Sequence, residues 1–241
     1  MKILVLVGSG EFTPKMIPVD HFLLSQIKGP KSVAILPTAA GAERNPHKWI
    51  DDGIKHFKKL NARPFGVKVL KKKDTSQKRF LNQVKKASLI YFSGGNPRYL
   101  YETIKTTPLW NLVFSLYKNS TILAGSSAGA MVMGNYVLSN AKSAFLAAQD
   151  SIWTRGLSLV DYAILPHFDF AKKEKPVEIK KIIDNALNRK LKLLCIDEDT
   201  ALVVFNNKNA KVLGEGNVYL LKKNKEIIYQ TGESFDLNVV E

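Results

Sequence analysis

Residues 121–130 read Thr-Ile-Leu-Ala-Gly-Ser-Ser-Ala-Gly-Ala. The apolar run Thr121–Ala124 has the length and branching of a short buried strand, and the residues after Gly129 suit a helix. Between them, Gly125-Ser126-Ser127-Ala128-Gly129 places a serine midway between two glycines. A strand that reverses directly into a helix forces its corner residue into a strained left-handed conformation, and side chains two before and two after would collide there. Ser127, not Ser126, occupies that corner. The pattern is the Gly-x-Ser-x-Gly nucleophile elbow in its required strand-turn-helix setting. Ser127 is thereby expected at the carboxyl end of a sheet strand, where open α/β sheets bind ligands. The Ala128 amide, opening the helix, would face a developing oxyanion.

Working outward, further apolar runs of strand length appear at Lys2–Gly8, Lys31–Pro37 and Ser88–Ser93. Helical spacing separates them. Asn45-Pro46 precedes Trp49, Ile50, Ile54, Phe57 and Leu60; Asp74 opens a second pattern to Lys86; Asn96-Pro97 caps a third that breaks at Pro108. Near-continuous apolar strands alternating with helices predict a three-layer αβα fold around a mainly parallel, doubly wound sheet. The last third changes character. Thr200–Phe205, Lys211–Leu213, Val218–Leu221 and Ile227–Tyr229 read as antiparallel hairpins at the sheet edge. Neither a linker nor a repeat divides residues 1–241, so one domain is expected.

Composition narrows the function. The 241 residues are 45% hydrophobic, enough for a substantial core, which excludes disordered and collagen-like chains. No stretch approaches a membrane span, and the early apolar run is too short for a signal-peptide core. The lone cysteine, Cys195, cannot form an internal disulfide, in keeping with a cytoplasmic protein. The net charge of +15 invites a nucleic-acid reading. However, 30 of the 36 basic residues are lysines, mostly scattered, and no nucleic-acid motif accompanies them. A solvated lysine-rich surface is the plainer account. The four histidines and one cysteine show no metal-ligand spacing, so neither metal nor cofactor is expected.

A serine nucleophile needs a base. His47 and His56 fall in a lysine-rich amphipathic helix and read as surface or rim residues, and His21 has no evident partner. His167, in Leu165-Pro166-His167-Phe168-Asp169, follows the strand-like run Tyr162–Leu165 and so shares the sheet edge with Ser127. The loop Ser93-Gly94-Gly95-Asn96-Pro97 could bring a second oxyanion amide to that edge, or be a plain turn with Asn96 as its cap.

These motifs together resemble peptidase family S51, which contains aspartyl dipeptidase and cyanophycinase. Ile35–Ala39 resembles its strand-end motif, Phe92–Asn96 its Gly-Gly-Asn loop, and Gly125–Ala130 its elbow. Pro166–Phe168 resembles the histidine segment, and Ile196–Leu202 a late motif of cyanophycinase-like members. The resemblance implies a class I glutamine amidotransferase-like fold and metal-free hydrolysis of a small peptide. By position Ser127 matches the nucleophile, His167 the base, and Gly95 and Ala128 the oxyanion donors, with Gly94 and Asn96 beside them. The acid departs from the pattern, for the interval where the family carries it reads Lys142-Ser143-Ala144-Phe145. Asp150 is the nearest candidate, with Asp161 and Asp169 behind it. Glu198 could instead meet a substrate amine, or Asp197 and Glu198 merely end a strand. Two other readings stay open: a binding module that keeps the elbow but has lost its acid, and a nucleic-acid binder. A homodimer is not decided by the sequence.

Overall fold

The computed structural model describes residues 1–138 and 152–238. Five strands run parallel: β1 (Ile3–Val7), β2 (Ser32–Leu36), β3 (Arg63–Gly66), β4 (Leu89–Phe92) and β5 (Ile122–Ser126), in the spatial order β1-β5-β4-β2-β3. Their alternate residues face opposite ways, so each strand feeds two apolar layers. On one face Val5, Val7, Val33, Ile35, Leu89 and Tyr91 meet α1 (Ile17–Ser25) and α2 (His47–Lys59). On the other, Leu4, Leu6, Ala34, Leu36, Ile90 and Phe92 meet α3 (Lys78–Val84), α4 (Pro97–Ile104), α5 (Pro108–Lys118) and the short α6 (Ala128–Met131). The core strands are buried on both faces, which is why they read as unbroken apolar runs.

A small pair, β6 (Tyr136–Leu138) and β7 (Trp153–Arg155), stands apart. Then come β8 (Ala163–Leu165), α7 (Phe168–Glu174), α8 (Pro176–Asn188) and β9 (Leu193–Ile196). The final strands are β10 (Thr200–Phe205), β11 (Asn209–Gly214), β12 (Asn217–Lys222), β13 (Lys225–Gln230) and β14 (Ser234–Asp236). Only part of this region extends the main sheet, where β10 pairs antiparallel with β1 and continues through β11 to β14. The expected edge hairpins at 218–221 and 227–229 instead leave it. Strands β12 and β13 join β9 and β8 in a second sheet ordered β13-β12-β9-β8. The reason is local: Val218 and Leu220 are fully buried and need a partner face of their own.

Smaller differences have similar causes. Residues 74–86 split into a 3-10 turn at Lys72–Ser76 and α3, because the Asp74 carboxylate accepts from the Leu70 and Lys71 amides rather than capping a helix. Pro108, expected to end a helix, is the first residue of α5, with Thr107 as its cap.

The two sheets meet where β1 ends. A Cβ on Gly8 would lie 2.0 Å from the Asp197 carbonyl oxygen, so only glycine allows the β1 and β9 ends this approach. Asp197 holds the second sheet together there. Its Oδ2 accepts from the Asn217 amide at 2.9 Å and the Tyr219 hydroxyl at 3.3 Å. Burial pushes the Asp197 carboxyl above the usual carboxylate range, and these bonds only partly offset that. A raised folded-state pKa contributes stability below the unfolded value, about 3.9, and loses it as pH rises through the folded value. Asp197→Asn keeps an acceptor without the charge. Its urea midpoint should exceed wild type at pH 7, with the gain shrinking toward pH 4; a gain that grows on acidification would contradict the assignment.

Candidate active site

The elbow forms as its glycines require. Ser127 has φ 49° and ψ −110°, a conformation rarely adopted by non-glycine residues. Its amide donates to the Val7 carbonyl at 2.9 Å, and its carbonyl accepts from the Met131 amide at 2.9 Å. A Cβ on Gly125 would sit 2.4 Å from the Gly129 backbone, and one on Gly129 the same distance from the Phe92 carbonyl oxygen. The corner is therefore clamped between β1, β4 and β5.

Ser127 Oγ lies 2.9 Å from His167 Nε2, and His167 Nδ1 lies 2.6 Å from Glu198 Oε1. His167 itself is left-handed, with φ 53° and ψ 39°, at the cap of α7. The carboxylate at Nδ1 is Glu198, from the turn between β9 and β10. Glu198 was expected to meet a substrate amine or simply to end a strand. It faces the imidazole because parallel pairing of β8 with β9 brings both strand ends to one edge. Asp150 lies outside the described residues. Asp169 does not face the ring: its Oδ1 accepts from the Glu198 amide at 2.8 Å, fixing the backbone that carries Glu198. Asp161 is bound by the Asn135 side chain, away from this edge.

The glycine loop differs from the expectation at two residues. The Gly94 amide donates to Glu11 Oε1 at 2.8 Å, so it is committed and not free for an oxyanion. Asn96 is structural, since its amide donates to the Ala39 carbonyl and its Oδ1 accepts from the Tyr99 amide. Among the described residues, the Gly95 and Ala128 amides have no acceptor. Gly95 has φ 138°, and a Cβ there would meet the Ala39 backbone at 2.5 Å.

Ser127, His167, Glu198, Gly94 and Gly95 line one cleft of about 790 Å³, together with Glu11, Phe12, Trp49, Asp52 and His56. Two features of it escape the sequence patterns. Glu11 is 8% exposed, and besides Gly94 its Oε2 accepts from Ser126 Oγ at 2.6 Å. His56, expected at the surface or rim, lines the cleft but is buried and pairs through Nε2 with Asp20 Oδ2 at 2.8 Å, beside the Phe12 ring. Its partner comes from α1, which a pattern read along α2 alone cannot supply. Burial pushes the Asp20 carboxyl up, and it likewise pushes the hydroxyl of nearby Tyr91 well up. His21 and His47 are exposed.

A serine on an elbow at the carboxyl edge of a parallel sheet, with an imidazole at its Oγ, defines a serine-type hydrolase. The description "Peptidase family S51" matches residues 4–212, and the chain belongs to that family. It is similar to the uncharacterized peptidase YgaJ of Bacillus subtilis, 26% identical over 86% of this chain and 85% of that protein. It is also similar to a cyanophycinase of Geminocystis herdmanii, 26% identical over 78% of this chain and 68% of that one. The crystal structure of a peptidase from an acI-B1 Actinobacterium superposes with a TM-score of 0.86 at 34% identity, covering 98% of this chain and 97% of that one. A putative peptidase E protein from Listeria monocytogenes shares the fold alone, with a TM-score of 0.60 at 18% identity over 96% of this chain and 100% of that one. The fold is class I glutamine amidotransferase-like. No helix among the described residues is long and apolar enough to cross a membrane.

The clamped corner sets a testable limit. Gly129→Ala should cost about 1–3 kcal/mol in urea unfolding, because the Phe92 backbone cannot retreat from the added methyl. An unchanged midpoint would show that the corner relaxes.

Proposed function

We propose that this chain is a small-peptide exopeptidase, dipeptidase-like in scale, in which Ser127, His167 and Glu198 act as nucleophile, base and acid. The observation that carries the reading is the continuous line from Ser127 Oγ through the His167 ring to Glu198, at 2.9 and 2.6 Å. Glu198 accepts a hydrogen bond from Nδ1–H, which fixes the tautomer that leaves Nε2 to take the Ser127 proton as Oγ attacks the scissile carbonyl, and its charge stabilises the imidazolium so formed. The carbonyl oxygen, now negative, is received by the Gly95 and Ala128 amides. His167 then passes the proton to the leaving amine, and water reverses the sequence to release the acyl group. The limited cleft supports short substrates, and the names of the relatives, peptidase and cyanophycinase, fit a peptide bond as the target.

A carboxylate at Nδ1 weighs against the reading as a binding module that has lost its acid. Ser127→Ala should lower kcat at least about 10³-fold on a dipeptide panel. Glu198→Gln should lower it by about 10²–10⁴-fold, whereas Asp150→Asn should stay within about tenfold. The reverse ranking of Glu198 and Asp150 would return the acid to the 139–151 segment. Rapid labelling of wild type, but not Ser127→Ala, by a fluorophosphonate is the second check; no labelling would sink the hydrolase reading.

A further inference from the structure

Four carboxylates line the cleft, and three have a basic partner. Asp52 pairs with Lys48, Glu198 with His167, and Asp199 with Lys15 at 2.8 Å. Glu11 differs. Among the described residues no lysine, arginine or histidine nitrogen lies within 4.0 Å of it. It accepts only two neutral donors, the Gly94 amide and the Ser126 hydroxyl. Each carboxylate oxygen has two lone-pair positions, so each keeps one to spare. A carboxylate withdrawn from water without a cation is costly unless a ligand supplies the charge. Lys48, Lys55 and Lys59 line the same cleft, but none of them comes within 4.0 Å of Glu11, which leaves its charge open to a cation brought by a ligand.

The position is also specific. A Cβ on Gly94 would lie 3.0 Å from Glu11 Oε1 and 3.5 Å from Ser127 Cβ, so the carboxylate and the nucleophile flank the same glycine. The next residue, Gly95, offers its free amide. In a peptide, the amino nitrogen is two bonds from its own carbonyl carbon, about 1.46 and 1.52 Å in turn. A carbonyl attacked by Ser127 at the amino-terminal residue therefore keeps its ammonium about 2.5 Å from the attacked carbon, in the cleft whose Gly94 wall carries the Glu11 carboxylate.

Resting on the exopeptidase reading above, we propose that Glu11 is the subsite for the substrate's free α-ammonium group, and that it makes the enzyme select unblocked amino termini. Its bonds to Gly94 and Ser126 aim the carboxylate, and the ammonium completes its shell. A cationic side chain offers the same charge from a different source, so the test separates the two.

Hydrolysis of dipeptides with acidic, basic and apolar first residues would be compared with that of their N-acetyl forms, for wild type, Glu11→Gln and Glu11→Ala. Glutamine can keep both neutral hydrogen bonds while removing the charge. Wild type should favour free over acetylated substrates by about 10²-fold in kcat/KM, whatever the first side chain. In Glu11→Gln that ratio should fall to within about threefold, chiefly through KM for the free forms. Several outcomes would overturn the proposal: no preference in wild type, a ratio that survives in Glu11→Gln, an equal fall on both substrate forms, or discrimination only among basic side chains. The third would leave Glu11 a positioning residue for the glycine loop. Fluorophosphonate labelling of Ser127 needs no ammonium and reads the nucleophile separately. Labelling without an amine preference rejects this inference alone, and absent labelling rejects the reading beneath it.

Discussion

The turn at Ser127 is held by contacts that leave no room for a side chain on either flank. Gly125 lies against Gly129, Gly129 lies against the Phe92 carbonyl, and the Ser127 amide is tied to Val7. Strain at φ 49° persists because three neighbouring strands over-determine it. The second close approach, Gly8 against Asp197, brings the end of the second sheet to the same edge. The β8–β9 pair, which carries His167 and Glu198, also shares a core with β1 and α6 through Ala163, Ile164, Leu193 and Leu194, and that packing sets its position relative to the serine. The site is thus the meeting line of two sheets, and glycines on both sides permit the meeting.

The turn Asp197-Glu198-Asp199 shows how three adjacent acids divide the work. Asp197 points into the second sheet and ties β12 to β9. Glu198 points across the cleft to His167, while its own amide is held by Asp169. Asp199, at φ 52°, turns back toward Lys15 in the loop that follows β1. Successive side chains at a strand end diverge, and the positive φ sharpens that divergence into three separate partners.

What the sequence made legible follows from which interactions are local. The strands β1, β2, β4 and β5 were readable because burial on both faces leaves unbroken apolar runs. The elbow was readable because its steric demands fall on residues two apart. His167 was readable from its strand end. The carboxylate beside that ring is not, because chain order is a poor guide to which carboxylate faces a ring: Glu198 reaches it only through the β8–β9 pairing. His56 was misplaced for the same reason, its partner Asp20 lying on another helix. Helix α8 carries a local signal, Ile179, Ile182 and Ala186 on one buried face.

Ser126 and Ser127 show how much a one-residue step decides at a strand end. Ser126 still belongs to β5, is wholly buried, and spends its hydroxyl on Glu11. Ser127 has left the strand, faces the cleft, and meets an imidazole. The same hydroxyl chemistry serves as a structural tie in one and sits at the site in the other. Through Glu11 the two are joined again: the tie at Ser126 and the amide of Gly94 fix one carboxylate between the β4 and β5 loops. That carboxylate braces the glycine loop and also lines the cleft. Bracing alone would be met by an uncharged acceptor at lower desolvation cost. A charged group at that point is accounted for by a cation arriving with the substrate.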